Sequence, residues 1–398
     1  MNFWGLASGT GLRRIGGVVW LTSALSLLAG CTSVSSTLGL SSGEKPKPNE
    51  LAVNVPKLAV RLVWSNNLTA INFPLNIDVA GGNSAKDAII NIASSDGVVA
   101  SFNAASGREL WRAQSGRTLA AGVGSDAGFA AVVTTSNEVI VFSSGREAWR
   151  QKLSNSSYTA PLVSDGKVFV LGADRAISAF ELSDGKKLWT QKKSAEALTL
   201  RQSGVLLMVS DTLVSSSSGR LLGINPLDGN VRWSTPIATA RGTNDIERLV
   251  DLVGRVSNDS EVVCARAYRV SVGCVNTFRG NVVWTKPAVG LEGVQGDARS
   301  LFGAESDGKV IAWNRANGER LWQTEHLLNR NLSAPAVLEK AIAVGDSTGL
   351  VHFLSKTDGS SLNRLTTDGS AIAAAPVVVG NTLVVVTRNG GVFGFVVE

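Results

Sequence analysis

Thr159–Lys192 reads TAPLVSDGKVFVLGADRAISAFELSDGKKLWTQK and divides into four short strands. Apolar positions mark three of them (Val168 and Val170; Ile177 and Phe180; Leu188). The breaks fall at Ser164-Asp165-Gly166, Ala173-Asp174-Arg175 and Ser183-Asp184-Gly185, where Asp and Gly tolerate turn dihedrals. The unit closes on Gly185-x-x-x-Trp189, and the same spacing recurs at Gly107/Trp111, Gly145/Trp149, Gly229/Trp233, Gly280/Trp284 and Gly318/Trp322. Four strands repeating about every forty residues are the sequence sign of a propeller blade.

Composition agrees with an all-β chain. Among 398 residues there are 42 Gly, few aromatics besides Trp and no long apolar stripe of helical period. The net charge of +6 is modest, and Lys and Arg are scattered among Asp and Glu. A phosphate-tracking surface concentrates its cations, so nucleic acid is not an expected partner.

Residues 1–30 read as an export signal, with Arg13 and Arg14 ahead of the apolar run Ile15–Leu28. Leu28-Ala29-Gly30-Cys31 resembles the bacterial lipobox, which implies cleavage before Cys31 and acylation of that cysteine. Thr32 stands where inner-membrane lipoproteins commonly carry Asp, which points to an outer-membrane anchor. Residues 31–57, rich in Ser, Gly, Lys and Pro, are expected to be a flexible tether, leaving 58–398 as the folded domain.

Arg61-Leu62-Val63-Trp64 resembles the last strand of a blade with no partners before it, while Ala371–Glu398 supplies three strands and stops without a Trp strand. The two fragments complete each other, removing the free edges of an open array. The closing positions are then Trp64, Trp111, Trp149, Trp189, Trp233, Trp284, Trp322 and, with the Trp lost, Asn363. The expected fold is an eight-bladed β-propeller of four-stranded antiparallel blades, its ring closed by an N-terminal strand in the C-terminal blade. The longer intervals place extra loop around Ile71–Lys86, Glu196–Val205 and Ile237–Asn258.

A signature repeated around a ring reads as architecture. Each indole is expected to fill the space between blades and donate its N–H to a backbone carbonyl. Each Gly answers a turn's need for positive φ, and Asn103, Asn225, Asn276 and Asn314 cap those turns. The repeat resembles the tryptophan-docking motif of quinone-dependent dehydrogenases, also eight-bladed, so a dehydrogenase-like or ligand-binding periplasmic propeller is the alternative. Against it, the chain has only His326 and His352, no adjacent cysteine pair, and no acidic constellation to hold calcium and a quinone. No nucleophile elbow, phosphate loop or metal-ligand spacing is present, so neither catalysis nor a cofactor is expected. Cys264 and Cys274 face each other across a hairpin centred near Arg269; a disulfide and two packed thiols fit that sequence equally.

Lipobox, tether and closed Gly-x-x-x-Trp array together resemble the BamB family, propeller lipoproteins of the outer-membrane β-barrel assembly machinery. Two non-repetitive stretches carry the resemblance furthest: Ala197-Leu198-Thr199-Leu200-Arg201 and Gly242-Thr243-Asn244-Asp245-Ile246-Glu247-Arg248-Leu249-Val250-Asp251. The resemblance implies that Leu198, Leu200, Arg201 and Asp251 bind the POTRA region of BamA, within a complex on the periplasmic face of the outer membrane. Unfolded outer-membrane proteins would be a further partner. Where the family often has an acid two residues after the Asp, this chain has Val253. Apolar anchors beside an Arg are also the composition of an interface hot spot.

Overall fold

The computed structural model describes residues 46–68, 76–80, 86–126, 128–192, 199–239 and 250–398. Cys31, Leu198 and residues 242–249 lie outside them, as do the expected signal and much of the expected tether. The described residues form eight four-stranded antiparallel sheets and no helix. In chain order they are blade 1 (78–114), blade 2 (124–152), blade 3 (162–191), blade 4 (206–236), blade 5 (252–287), blade 6 (295–324), blade 7 (336–366) and blade 8. Blade 8 joins 377–397 to the N-terminal strand Val60–Asn67, whose register runs from Val60↔Val397 to Asn67↔Gly391.

Blade 3 shows how the repeat folds. Its strands are Leu162–Ser164, Lys167–Leu171, Ile177–Glu181 and Lys187–Gln191, from the ring's centre outward. Asp165 and Gly166 take φ of 51° and 70°, the twisted two-residue hairpin turn that matches strand twist. The middle strands are buried on both faces, since each blade is covered by two neighbours; Val168, Phe169, Ile177 and Ala179 are inaccessible. The outer strand meets solvent, and Leu188, an apolar marker in the sequence, is 39% exposed.

Tryptophan joins the blades. Nε1 donates across a seam from Trp64 to Ala104 O (3.1 Å), Trp149 to Leu182 O (2.7 Å), Trp189 to Pro226 O (3.1 Å), Trp284 to Arg315 O (2.7 Å) and Trp322 to Lys356 O (2.8 Å). The glycine of the signature lies beneath the indole of the preceding blade. A Cβ on Gly107, Gly145, Gly185, Gly229, Gly280, Gly318 or Gly359 would meet Trp64, Trp111, Trp149, Trp189, Trp233, Trp284 or Trp322, respectively. Each of these glycines also has positive φ, so the position demands Gly twice over. The expected side-chain caps are present: Asn103, Asn225, Asn276 and Asn314 Oδ1 accept from amides two or three residues on.

One seam lacks the Trp for a visible reason. Blade 8 has no turn between its third and fourth strands, because the chain's two ends meet there, so blade 7 has no glycine to cover. Asn363 Nδ2 donates instead to Leu58 O (2.8 Å), and Asn54 Nδ2 donates to Asn363 Oδ1 (3.2 Å) and Arg364 O (3.1 Å). The volume lost on the outer strand returns on its neighbour: Phe353, fully buried, pairs with Asn363, where the other blades set Gly, Ala, Ser, Cys or Val opposite their Trp.

The end of the expected tether is therefore part of the ring. Lys57 N donates to Leu362 O (2.7 Å), Asn49 N to Leu328 O (3.1 Å), and Arg330 Nη2 to Asn49 O (3.0 Å). Arg330 Nη1 is held by Asp346 at 2.9 Å, which also pairs with buried His352 at 2.9 Å. The compact unit accordingly begins at Pro48 rather than at Leu58. Part of the extra loop expected around Ile237–Asn258 is instead the inner strand of blade 5, Leu252–Asp259. Cys264 and Cys274 are directly opposite in that blade, fully buried and joined as a disulfide.

Two expectations follow. Gly166 and Gly185 share a φ near 70°, but only Gly185 lies under an indole. Gly166→Ala should cost about 1 kcal/mol and Gly185→Ala about 3 kcal/mol, compared by thermal midpoints. On the inner strand of blade 1, burial pushes the Asp78 carboxyl up to about 6, against the opposing hydrogen bonds from Ser125. The raised folded value means that the stability Asp78 contributes is full below its unfolded value of 3.8 and lost as pH rises through about 6. Asp78→Asn should therefore be more stable than the parent at pH 7.5, by on the order of 2 kcal/mol, with the gap closing near pH 4 in parallel denaturation series.

Candidate functional site

Loops that join one blade's outer strand to the next blade's inner strand meet, on one face of the ring, the loops between second and third strands. The described parts of the two non-repetitive stretches lie on that face. Residues 199–205 join blades 3 and 4, and Val250 and Asp251 lead into blade 5.

Asp251 organises the site. Its Oδ2 accepts from the Leu200 amide at 2.8 Å and its Oδ1 from Arg175 Nη2 at 3.0 Å, so one carboxylate ties together loops around three blades. Its own carbonyl accepts from Tyr268 N at 2.9 Å. Neighbouring contacts fix the rest of the loop: Gln202 Nε2 donates to Leu291 O (3.0 Å), Gly204 N to Thr159 Oγ1 (2.8 Å) and Ser203 O accepts from Gly254 N (2.6 Å). Leu200 is left half-buried and Arg201 exposed, the guanidinium carbon 5.5 Å from the centre of the Tyr158 ring. Beside them opens a small pocket walled by Tyr158, Arg175, Leu200, Gln202, Ser218 and Asp251.

A buried charge pair supports the third loop. Arg266, inaccessible, donates from Nη1 to Glu305 Oε1 at 2.8 Å, and Glu305 Oε2 accepts from Val289 N. Val289 opens the loop that carries Leu291, so the pair anchors the far side of the platform. Val253 is 1% exposed and pairs in register with Arg266 on the inner strand of blade 5, so it offers no exposed side chain to a partner.

Of the residues expected at the site, Leu200, Arg201 and Asp251 are brought together, and Leu198 falls outside the described residues. Leu200 lies in a loop, since the inner strand of blade 4 begins at Leu206. Cys264 and Cys274 belong to the interior of blade 5 and take no part. Arg175, Tyr158 and Gln202 were missed from sequence. Arg175 carried a signal, because other blades put Gly97, Asn137, Gly308, Gly349 or Gly390 at this turn position, yet Arg175 holds φ 61° there. Among the described residues no group of His, Cys, Asp and Glu is arranged to hold a metal ion.

A family model described as outer membrane protein assembly factor BamB matches residues 95–324. The protein of that name from Burkholderia pseudomallei is 33% identical over 387 residues, covering 96% of this chain and 98% of the relative. The one from Bordetella pertussis is 34% identical over 377 residues, covering 94% and 95%. The crystal structure of BamB from Moraxella catarrhalis superposes with a TM-score of 0.75 at 24% identity, over 85% of this chain and 100% of that one. A quinohemoprotein alcohol dehydrogenase from Comamonas testosteroni superposes at 0.64 with 13% identity, over 87% of this chain and 77% of that one, a likeness of fold alone.

Replacing Asp251 removes a partner from two loops at once. Asp251→Ala should lower stability by about 3 kcal/mol and raise hydrogen exchange at the Leu200 amide, whereas Asp251→Asn, which keeps an acceptor, should lose less on both measures.

Proposed function

Because the chain belongs to the BamB family of outer membrane protein assembly factors, we propose that it is a scaffold of the machinery that folds and inserts outer-membrane β-barrel proteins, docking BamA through Leu200, Arg201 and Asp251. Leu198 is assigned to the same contact on the family resemblance alone. Cys31 carries the lipid that holds the ring at the periplasmic face of the outer membrane, and the ring performs no catalysis of its own.

The observation that carries this reading is the double use of the Asp251 carboxylate. By accepting from Leu200 N and from Arg175, it pre-orders a loop that would otherwise lose conformational freedom on binding. An apolar side chain and an exposed guanidinium are then presented side by side on a fixed backbone, the composition of an interface hot spot. A second role, holding an extended client strand, draws support from the ring itself. Residues 54–57 lie along the outer strand Ser361–Thr366 of blade 7 and bond to its backbone, an internal example of chain added to a blade edge.

Arg201→Glu and Leu200→Asp should each abolish recovery of BamA with the full chain from solubilised membranes while leaving far-UV circular dichroism unchanged. Recovery of BamA at parental levels by both variants would refute the docking assignment.

A further inference from the structure

The inner strand of blade 5 departs from the repeat. Its register with the neighbouring strand shifts between Val253 and Ser257, so 254–256 bulge from the ladder. Inside the bulge Arg255 holds φ 52°, whereas the other described non-glycine residues with positive φ lie in turns or loops. A long side chain in the left-handed region within a strand is a disfavoured arrangement, and such strain gathers at functional positions. Packing maintains it here: Val294 N donates to Arg255 O (3.1 Å), and a Cβ on Gly293 would strike that carbonyl.

The guanidinium reaches across the ring's centre. Arg255 Nη1 donates to Ala375 O at 3.1 Å, on the approach to the inner strand of blade 8, three blades away. Ala375 lies just before the inner strand of blade 8, where the chain comes in from the Asp251 face, which places the guanidinium bonded to it at that mouth of the central channel. No Asp or Glu among the described residues pairs with it, and burial alone pushes its pKa down to about 10. Arg255 still keeps part of its surface open to solvent. A guanidinium has five N–H donors in a planar fork, and one carbonyl occupies a single donor.

We propose that Arg255 makes the mouth of the central channel an oxyanion site, its unused donors taking a carboxylate or phosphate group. Asp251, which pins the platform, lies four positions earlier in the chain, and Gly254 donates to Ser203 within the platform loop. A polypeptide docked on Leu200 and Arg201 would overhang the mouth, so an acidic side chain of that partner is one source of the anion and free phosphate is the other. Only the first source rests on the docking reading above; the site itself stands without it.

The test uses the full chain in detergent micelles. Phenylglyoxal labelling read by mass spectrometry follows Arg255, with exposed Arg388 as reference, while inorganic phosphate or an acetylated Asp-Glu-Asp peptide is titrated against chloride at equal ionic strength. Both oxyanion probes should slow labelling of Arg255 by about fivefold or more and leave Arg388 unchanged. Protection by the peptide at lower concentration than phosphate assigns the site to a polypeptide ligand, and the reverse order assigns it to free phosphate. In equilibrium dialysis, Arg255→Gln should bind labelled phosphate about tenfold more weakly than the parent. If neither probe protects Arg255 better than chloride, or if folded Arg255→Gln binds phosphate like the parent, Arg255 is a brace across the channel and the proposal is wrong. Recovery of BamA by the Arg201→Glu variant would overturn the docking surface without touching this result.

Discussion

The ring rests on one contact made at seven of its eight seams: an indole from the outer strand of one blade laid over the turn glycine of the next, several with the N–H bonded to a carbonyl beside it. The contact couples three demands on sequence. The turn must take positive φ, its Cβ must be absent, and the strand beside the Trp must keep a small residue opposite the ring. Flat apolar area supplies the attraction, and the buried N–H fixes the direction in which it acts. Blades held this way need few specific contacts elsewhere, which leaves the loops on one face free to diverge.

That division explains which parts were legible in sequence. The Gly-x-x-x-Trp spacing revealed the strands, the blade number and the closure, since each is a periodic property. The closing position Asn363 could be counted by alignment, but the reason for the missing Trp could not. It depends on Leu58 and Asn54 arriving from the other end of the chain, and on Phe353 filling the space. For the same reason the end of the tether looked free: Ser, Pro and Asn describe a segment without a core of its own, and nothing in its composition records that it lies on another blade.

The site was legible in outline only. Leu200, Arg201 and Asp251 could be named from a family resemblance, and they do converge. Arg175 was hidden inside the most regular stretch of the chain, where it reads as a turn residue. Its partnership with Asp251 spans three blades, a distance that no local pattern encodes. Arg255 was hidden in the opposite way, inside an interval whose excess length suggested loop, whereas the residues form a bulged strand.

The N-terminal strand in blade 8 also governs the order of events by which the ring comes into being. Val60–Asn67 is among the first structured segments synthesised, and the strand it pairs with, Gly391–Val397, is the last. Blades 1 to 7 can form from local hairpins as they emerge, but closure waits for the whole chain and then brings together its most distant parts. Until then the nascent protein carries an unpaired strand at one end and the bare flank of a blade at the other. Export as an unfolded polypeptide, with folding after release, would spare it that interval inside the cell.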